Sequence, residues 1–247
     1  MTSRLSADDF DAVLFDLDGV LTDTAAVHAR AWKTMFDEYL RQRAEREGER
    51  FVEFTIDEDY KTYVDGKPRY DGVRSFLASR GIVLPDGTPD DEPANETVCG
   101  LGNRKNDLVN RLLDDEGVVR YEGSVRLLHR LREQGIKLGV VSSSKNCATV
   151  LDAAGISDLF ATRVDGVAAT ERGLAGKPAP DTFLAAAADL GAEPPRTVVV
   201  EDAISGVQAG RDGGFGLVIG VDREGRPDAL RDNGAHVVVS DLGELVE

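Results

Sequence analysis

"AVLFDLDGVLTD", residues 12–23, decides the fold. Ala12 to Phe15 form an unbroken apolar run with no polar residue for a solvent face, the pattern of a strand buried on both sides in a parallel sheet. Asp16 and Asp18 follow at once, and Gly19 permits a turn. Side chains alternate along extended chain, so these two carboxylates point roughly the same way where the strand runs out. Burying charge without a partner is costly, so something must share the space of these acids. In open α/β sheets, ligands bind beyond the carboxyl ends of the strands, which makes this strand end the expected place for chemistry.

Further apolar runs repeat the strand signal: "KLGVVS" from 137, "TVVVED" from 197, "GLVIGV" from 216 and "HVVVSD" from 236. Between them, helical spacing is carried by Leu127, Leu128 and Leu131, by Val150, Leu151 and Ala154, and by Phe183, Leu184 and Ala187. Strands alternating with helices predict an α/β fold with a doubly wound parallel sheet. The interval from Thr24 to Val118 breaks that rhythm. It opens on an amphipathic helix, "TAAVHARAWKTMFDEYL", in which Ala25, His28, Trp32, Met35, Phe36 and Tyr39 line one broad face. A charged stretch follows, then helical patterns over Asp71 to Ser79 and Asn103 to Leu113, separated by the loop "PDGTPDDEPANETVCG" at 85–100. The expected organisation is an α/β core from residues 1–23 and 119–247 with a helical domain, 24–118, inserted after the first strand.

A chain of 247 residues suits one large domain or two small ones. Lys and Arg number 29 against 45 acids, a formal charge of -16, which argues against nucleic acid or an anionic membrane as partner. A small anion in a locally basic pocket remains compatible with that balance. "MTSRLSADDF" lacks the apolar core of a signal peptide and no apolar run reaches the length of a membrane span, so the expected location is cytoplasmic. Cys99 and Cys147 lie far apart and form no metal-ligand spacing, which gives no support to a disulfide scaffold or a zinc site.

Glu201 and Asp202 end the run "TVVV" as Asp16 and Asp18 end the first strand, so two strand ends would supply their carboxylates to one crevice. Taken alone, strand-end acids can be solvated or can cap the next helix. Together in a small space they would force protons back on unless a cation neutralised them. Mg²⁺ suits that role, since it takes oxygen ligands and is typically held by a couple of carboxylates plus a substrate phosphate. "VVSSSKN" ends another strand with Ser142, Ser143, Ser144, Lys145 and Asn146 leading into a helix, which offers hydroxyls, backbone donors and a cation to an anion. "GKPAPD" sets Lys177 ahead of a proline-punctuated helix start, where its ammonium can lean on a phosphate or on Asp16. The order acid pair, hydroxyl, lysine, acid pair points to phosphoryl transfer.

"DLDGVLTD", Ser142 after its strand, Lys177 in "GKPAPD" and "EDAISGVQAG" resemble the four motifs of the haloacid dehalogenase (HAD) superfamily of phosphotransferases. Within it, "DGVLTDTAAVHARAW", "RKND" at 104–107 and "SSSKN" at 142–146 resemble the β-phosphoglucomutase-like subfamily. The resemblance implies a Rossmann-like core with an inserted helical cap. It makes Asp16 the nucleophile, phosphorylated during turnover, and Asp18 the general acid and base, with Ser142 and Lys177 holding the transferring phosphoryl group. Mg²⁺ would be bound by the Asp16 carboxylate, the Asp18 backbone carbonyl, Asp202 and, directly or through a family variant, Glu201. Carried over by position, Arg69 and Lys105 contact the distal phosphate, and Gly66 and Lys67 lie near the sugar. Ser144, Lys145 and Asn146 bind the second phosphate and sugar hydroxyls. His28 is assigned to substrate and to the alignment of Asp18, and Trp32 either to substrate or to packing within the cap.

The activity implied is interconversion of β-D-glucose 1-phosphate and glucose 6-phosphate through the 1,6-bisphosphate. The alternative is a sugar-phosphate phosphatase, since an aspartyl phosphate can also be released to water. A signalling receiver, which likewise pairs acids with a hydroxyl and a lysine, is about half this length by ordinary domain sizes and lacks the insertion. The expected partner is a small phosphosugar, and the expected assembly a monomer or weak dimer.

Overall fold

A computed structural model describes residues 5–223 and 225–246. In chain order the elements are β1 (Ala12–Phe15), α1 (Ala25–Glu47), α2 (Arg69–Ser79), α3 (Val98–Glu116), α4 (Glu122–Glu133), β2 (Lys137–Val141), α5 (Cys147–Ala154) and β3 (Thr162–Val164). They continue with α6 (Gly166–Glu171), α7 (Asp181–Asp189), β4 (Thr197–Glu201), α8 (Ile204–Asp212), β5 (Leu217–Val221), α9 (Pro227–Asp232) and β6 (Val237–Val239). Two compact units result, one from residues 1–23 with 118–247 and one from 24–117. Val118, expected from the sequence to end the insertion, belongs to the first unit.

The first unit is built on a parallel sheet in the order β3-β2-β1-β4-β5-β6. Connections wind one way from β1 through β2 to β3 and the other way from β4 to β6, so the direction switches between the neighbours β1 and β4. That is where open α/β sheets bind ligands. The four residues of β1 are fully buried, as their uniform apolarity requires of a central strand. Ala12 and Leu14 pack with Val141, Val199, Phe183, Ala186 and Phe215 in one core cluster. The expected strands are all present, and β3 is an addition: a short edge strand whose residues Thr162 and Arg163 are not buried, which leaves no apolar run to read.

In the helical unit, α1 runs on to Glu47, well past the expected amphipathic stretch. Trp32, Met35, Phe36 and Tyr39 are buried as the periodicity predicts, while Ala25 and His28 are half-buried at the end of the stripe. Phe36 is the centre of an aromatic cluster, with ring centroids 5.3 Å from Trp32, 5.1 Å from Phe54 and 4.3 Å from Phe76. The charged stretch after α1 contains a π-helical segment, Ile56–Val64, that its composition does not announce. Helix α3 begins at Val98, inside the expected loop, because the Thr97 hydroxyl accepts the Gly100 N–H at 2.9 Å and caps it. No helix among the described residues is long and apolar enough to cross a membrane.

Candidate active site

Parallel pairing of β1 with β4 sets Phe15 against Val200, and the Asp16 N–H donates to the Val200 carbonyl at 2.9 Å. The next residue on each strand is therefore an acid, Asp16 beside Glu201. Lys177, in the turn before α7, enters from the neighbouring side. Its ammonium is paired with the Asp16 carboxylate, lies 2.5 Å from Glu201 Oε1 and donates to the Val141 carbonyl at the end of β2 at 3.3 Å. All three side chains are buried, with Glu201 at 0% exposure and Lys177 at 3%. The other Glu201 oxygen accepts the Ala203 N–H at 2.9 Å.

Burial pushes the Asp16 carboxyl well above the usual carboxylate range; Lys177 opposes this, and Glu201 and Asp18 add to it. Burial also works against the charge of Lys177, but the Asp16 and Glu201 carboxylates outweigh it and hold the ammonium above the ordinary lysine range. Burial thus favours the neutral form of Asp16, while the carboxylates crowded around Lys177 keep that lysine charged. Asp16, Glu201 and Asp202 each bring a carboxylate oxygen to within 4.8 Å of the others, a donor set that fits a hard divalent cation.

Two glycines make that convergence possible. Gly19 has φ +81°, and a Cβ there would lie 1.8 Å from Asp202 Oδ2, so the Asp202 carboxylate occupies the space a side chain would fill. Gly206 near the start of α8 does the same for Glu201, whose Oε1 would lie 1.8 Å from an added Cβ. Both acids at the end of β4 are thus laid against backbone.

Ser142 is buried beyond β2, and its hydroxyl oxygen accepts the Ser144 N–H at 3.1 Å. Ser144 Oγ in turn accepts the Asn146 N–H at 3.1 Å, one residue before α5, and Ser144, Lys145 and Asn146 remain half-buried. Asp165, which no sequence signal singles out, caps the start of α6, whose first residue, Gly166, contacts this loop. Its carboxylate accepts the N–H groups of Val167 and Ala168 at 3.0 Å and Arg163 Nε at 2.8 Å, while the Gly166 N–H donates to the Ser144 carbonyl at 3.1 Å. An aspartate preceding a glycine is too common a turn signal to be noticed in advance.

Within the helical unit, Lys105 on α3 is buried, stands 2.9 Å from His28 Nδ1 and lies 5.0 Å above the Trp32 ring. Trp32 itself belongs to the aromatic core of that unit. Arg69, the first residue of α2, donates to Asn106 Oδ1 at 2.7 Å and Asn103 Oδ1 at 3.4 Å, and burial lowers its pKa. Asn106 lies within the "RKND" stretch without a role of its own in the sequence reading, and Asn103 carries no functional signal there. Gly66 adopts φ +68°, and Lys67 donates to Ser75 Oγ at 2.9 Å.

The chain matches the haloacid dehalogenase-like hydrolases over residues 10–214. It is 56% identical over 238 residues to a protein of Mycobacterium bovis named beta-phosphoglucomutase, covering 95% of this chain and 91% of that one. A Bacillus subtilis protein of the same name is 32% identical, again over 95% of this chain and 91% of its own. Among solved structures, the Clostridium difficile beta-phosphoglucomutase superposes with a TM-score of 0.75 at 26% identity, covering 96% of this chain and 93% of its own.

Proposed function

Because the chain belongs to the haloacid dehalogenase-like hydrolase family, we propose that it is a cytoplasmic, Mg²⁺-dependent β-phosphoglucomutase that interconverts β-D-glucose 1-phosphate and glucose 6-phosphate through the 1,6-bisphosphate. The observation that carries this reading is the 56% identity to the Mycobacterium bovis protein, which extends over 95% of the chain and so includes the helical insertion as well as the core. Core chemistry is common to mutases and phosphatases of this kind, whereas the insertion carries Arg69, Lys105, Gly66 and Lys67, which are assigned to the distal phosphate and the sugar.

Asp16 attacks the phosphorus of the donor and becomes an aspartyl phosphate, splitting one hard displacement into two easier ones. Lys177 stabilises the charge on Asp16 and on the transferring oxygens, and the Ser142 hydroxyl orients them. Asp18 gives a proton to the leaving sugar oxygen and takes one from the hydroxyl that attacks next. Mg²⁺, held by Asp16, Asp202, the Asp18 carbonyl and Glu201, would neutralise charge on the transferring phosphoryl group. Ser144, Lys145 and Asn146 take sugar hydroxyls and the second phosphate. In the helical unit, Arg69 and Lys105 are assigned to the distal phosphate, Gly66 and Lys67 to the sugar, and His28 to coupling binding with the alignment of Asp18; Trp32 supports Lys105 from below. The acceptor decides the activity: a sugar hydroxyl when water is excluded, water otherwise.

An assay with β-D-glucose 1-phosphate, Mg²⁺ and a trace of glucose 1,6-bisphosphate tests the reading. Glucose 6-phosphate should accumulate without stoichiometric inorganic phosphate. Phosphate release with no glucose 6-phosphate would make the enzyme a sugar-phosphate phosphatase.

A further inference from the structure

Arg223, two residues beyond β5, is far in sequence from every motif of the site. Its Nε donates to the Gly19 carbonyl at 2.7 Å, its Nη1 to the Ser240 carbonyl at 3.0 Å, and the guanidinium carbon lies 3.7 Å from the centroid of the Tyr121 ring. Nη2 is buried with no hydrogen-bond partner among the described residues, so the group loses hydration that it does not fully recover. Such a placement needs a reason other than solubility.

The reason lies in Gly19. Its N–H donates to the Thr22 carbonyl at 2.8 Å, its carbonyl is taken by Arg223, and the Asp202 carboxylate fills the space beside its Cα. The peptide from Asp18 to Gly19 is thereby held through the Gly19 N–H and the peptide from Gly19 to Val20 through the Gly19 carbonyl, so the residue that follows Asp18 is fixed on both sides. The rest of the turn is tied to residues 119–121: the Asp23 N–H donates to the Val119 carbonyl at 2.8 Å, the Tyr121 N–H to the Leu21 carbonyl at 3.0 Å, and the Tyr121 hydroxyl to Asp23 at 3.0 Å. Arg223 touches both parts, the Gly19 carbonyl with one edge and the Tyr121 ring with its face. A lysine can supply one of these contacts but not the planar fork that makes them together.

We propose that Arg223 is a positioning residue for Asp18, acting through Gly19, the residue that follows it, whose carbonyl it holds in register with Asp202 and Tyr121. The inference rests on the reading of Asp18 as the general acid and base.

A positioning role of this kind predicts dependence on the leaving group. Arg223→Met keeps the aliphatic stem and removes the donors. In the first turnover, phosphorylation of the enzyme by glucose 1,6-bisphosphate, whose leaving oxygen needs a proton, should slow by about 10- to 100-fold. Phosphorylation by p-nitrophenyl phosphate, whose leaving group needs none, should stay within about threefold, and Arg223→Lys should recover part of the loss. In the Asp18→Asn background, Arg223→Met should have no further effect. Equal losses on both phosphates, or full additivity with Asp18→Asn, would overturn the proposal. If Arg223→Met does not fold, Tyr121→Leu removes the stacking surface together with the hydrogen bond to Asp23, and Tyr121→Phe removes that hydrogen bond alone; the same leaving-group dependence is expected of Tyr121→Leu beyond any effect of Tyr121→Phe, and its absence would overturn the proposal equally. Asp16→Asn is run alongside. Turnover surviving that change brings down the proposed function itself, whereas a dead Asp16→Asn with leaving-group-independent losses at Arg223 brings down only this inference.

Discussion

The Lys177 ammonium lies between the carboxylates of Asp16 and Glu201, 2.5 Å from the latter, with lysine and glutamate both buried. The lysine is thus a counter-ion of the fold at the β1–β4 junction, in addition to the phosphate contact proposed for it. Removing one partner of a buried ion pair leaves the other charge uncompensated, at about 3–5 kcal/mol. Lys177→Met should lower stability at neutral pH by that order, and adding Glu201→Gln should restore part of it. Denaturant unfolding of the single and double variants measures both effects; a single variant as stable as the parent would refute the counter-ion role.

Gly19 and Gly214 separate a functional glycine from a conformational one. Both have positive φ, +81° and +69°, but an added Cβ meets Asp202 at 1.8 Å at Gly19 and nothing within 4 Å at Gly214. Substitution by Ala at either should cost about 1–3 kcal/mol of backbone strain. Only Gly19→Ala should also displace the Asp202 carboxylate, and with it raise the Mg²⁺ concentration needed for half-maximal activity. A Mg²⁺ titration in which both variants behave alike would count against Asp202 as a ligand.

Lys105, buried above Trp32 and 2.9 Å from the half-buried His28, sits in the unit to which the distal phosphate is assigned. Lys105→Ala and Arg69→Ala should each raise the KM for glucose 1-phosphate by about tenfold or more, the worth of one charge-assisted contact. Phosphorylation of Asp16 by p-nitrophenyl phosphate, which has no second phosphate, should be unaffected. Matching losses on the two substrates would show that these cations stabilise the protein rather than bind the sugar phosphate.

Tyr121 gives a pH dependence with a defined sign. Burial and the hydrogen bond to Asp23 hold its phenol at about 12, above the ordinary 10.0. The unfolded chain ionises first, so the stability this group contributes is complete below pH 10 and is lost as the pH rises through about 12. A phenolate absorbance titration of the parent minus Tyr121→Phe should show one tyrosine with a midpoint of about 12. A midpoint at the ordinary value would show that the folded protein does not protect it.

The parts of the site that lie at the ends of apolar runs are legible in the sequence, because a buried central strand is apolar throughout and its terminating acids interrupt it abruptly. The doubly wound sheet follows from the same runs. Strand β3 does not, since at the edge of the sheet only Val164 needs to be buried, and with it go the Asp165 cap of α6 and the Gly166 contact to the Ser144 loop. Glu201 is marked by sequence as a metal-ligand candidate; its pairing with Lys177 arises between β4 and the turn before α7, and spacing along the chain carries no trace of such a contact. Arg223 is invisible for the same reason, as a lone arginine after a strand ordinarily faces water. For Trp32 the sequence leaves both substrate contact and packing open, and its burial against Phe36 places the ring in the aromatic core of the helical unit.

Covalent catalysis through Asp16 can be read out by acid-quench mass spectrometry of the enzyme mixed with glucose 1,6-bisphosphate and Mg²⁺. One phosphoryl group is expected on the peptide that contains Asp16, formed at least as fast as turnover and absent from Asp16→Asn, which should be inactive. Turnover with that peptide unmodified, or an active Asp16→Asn enzyme, would contradict the aspartyl-phosphate route.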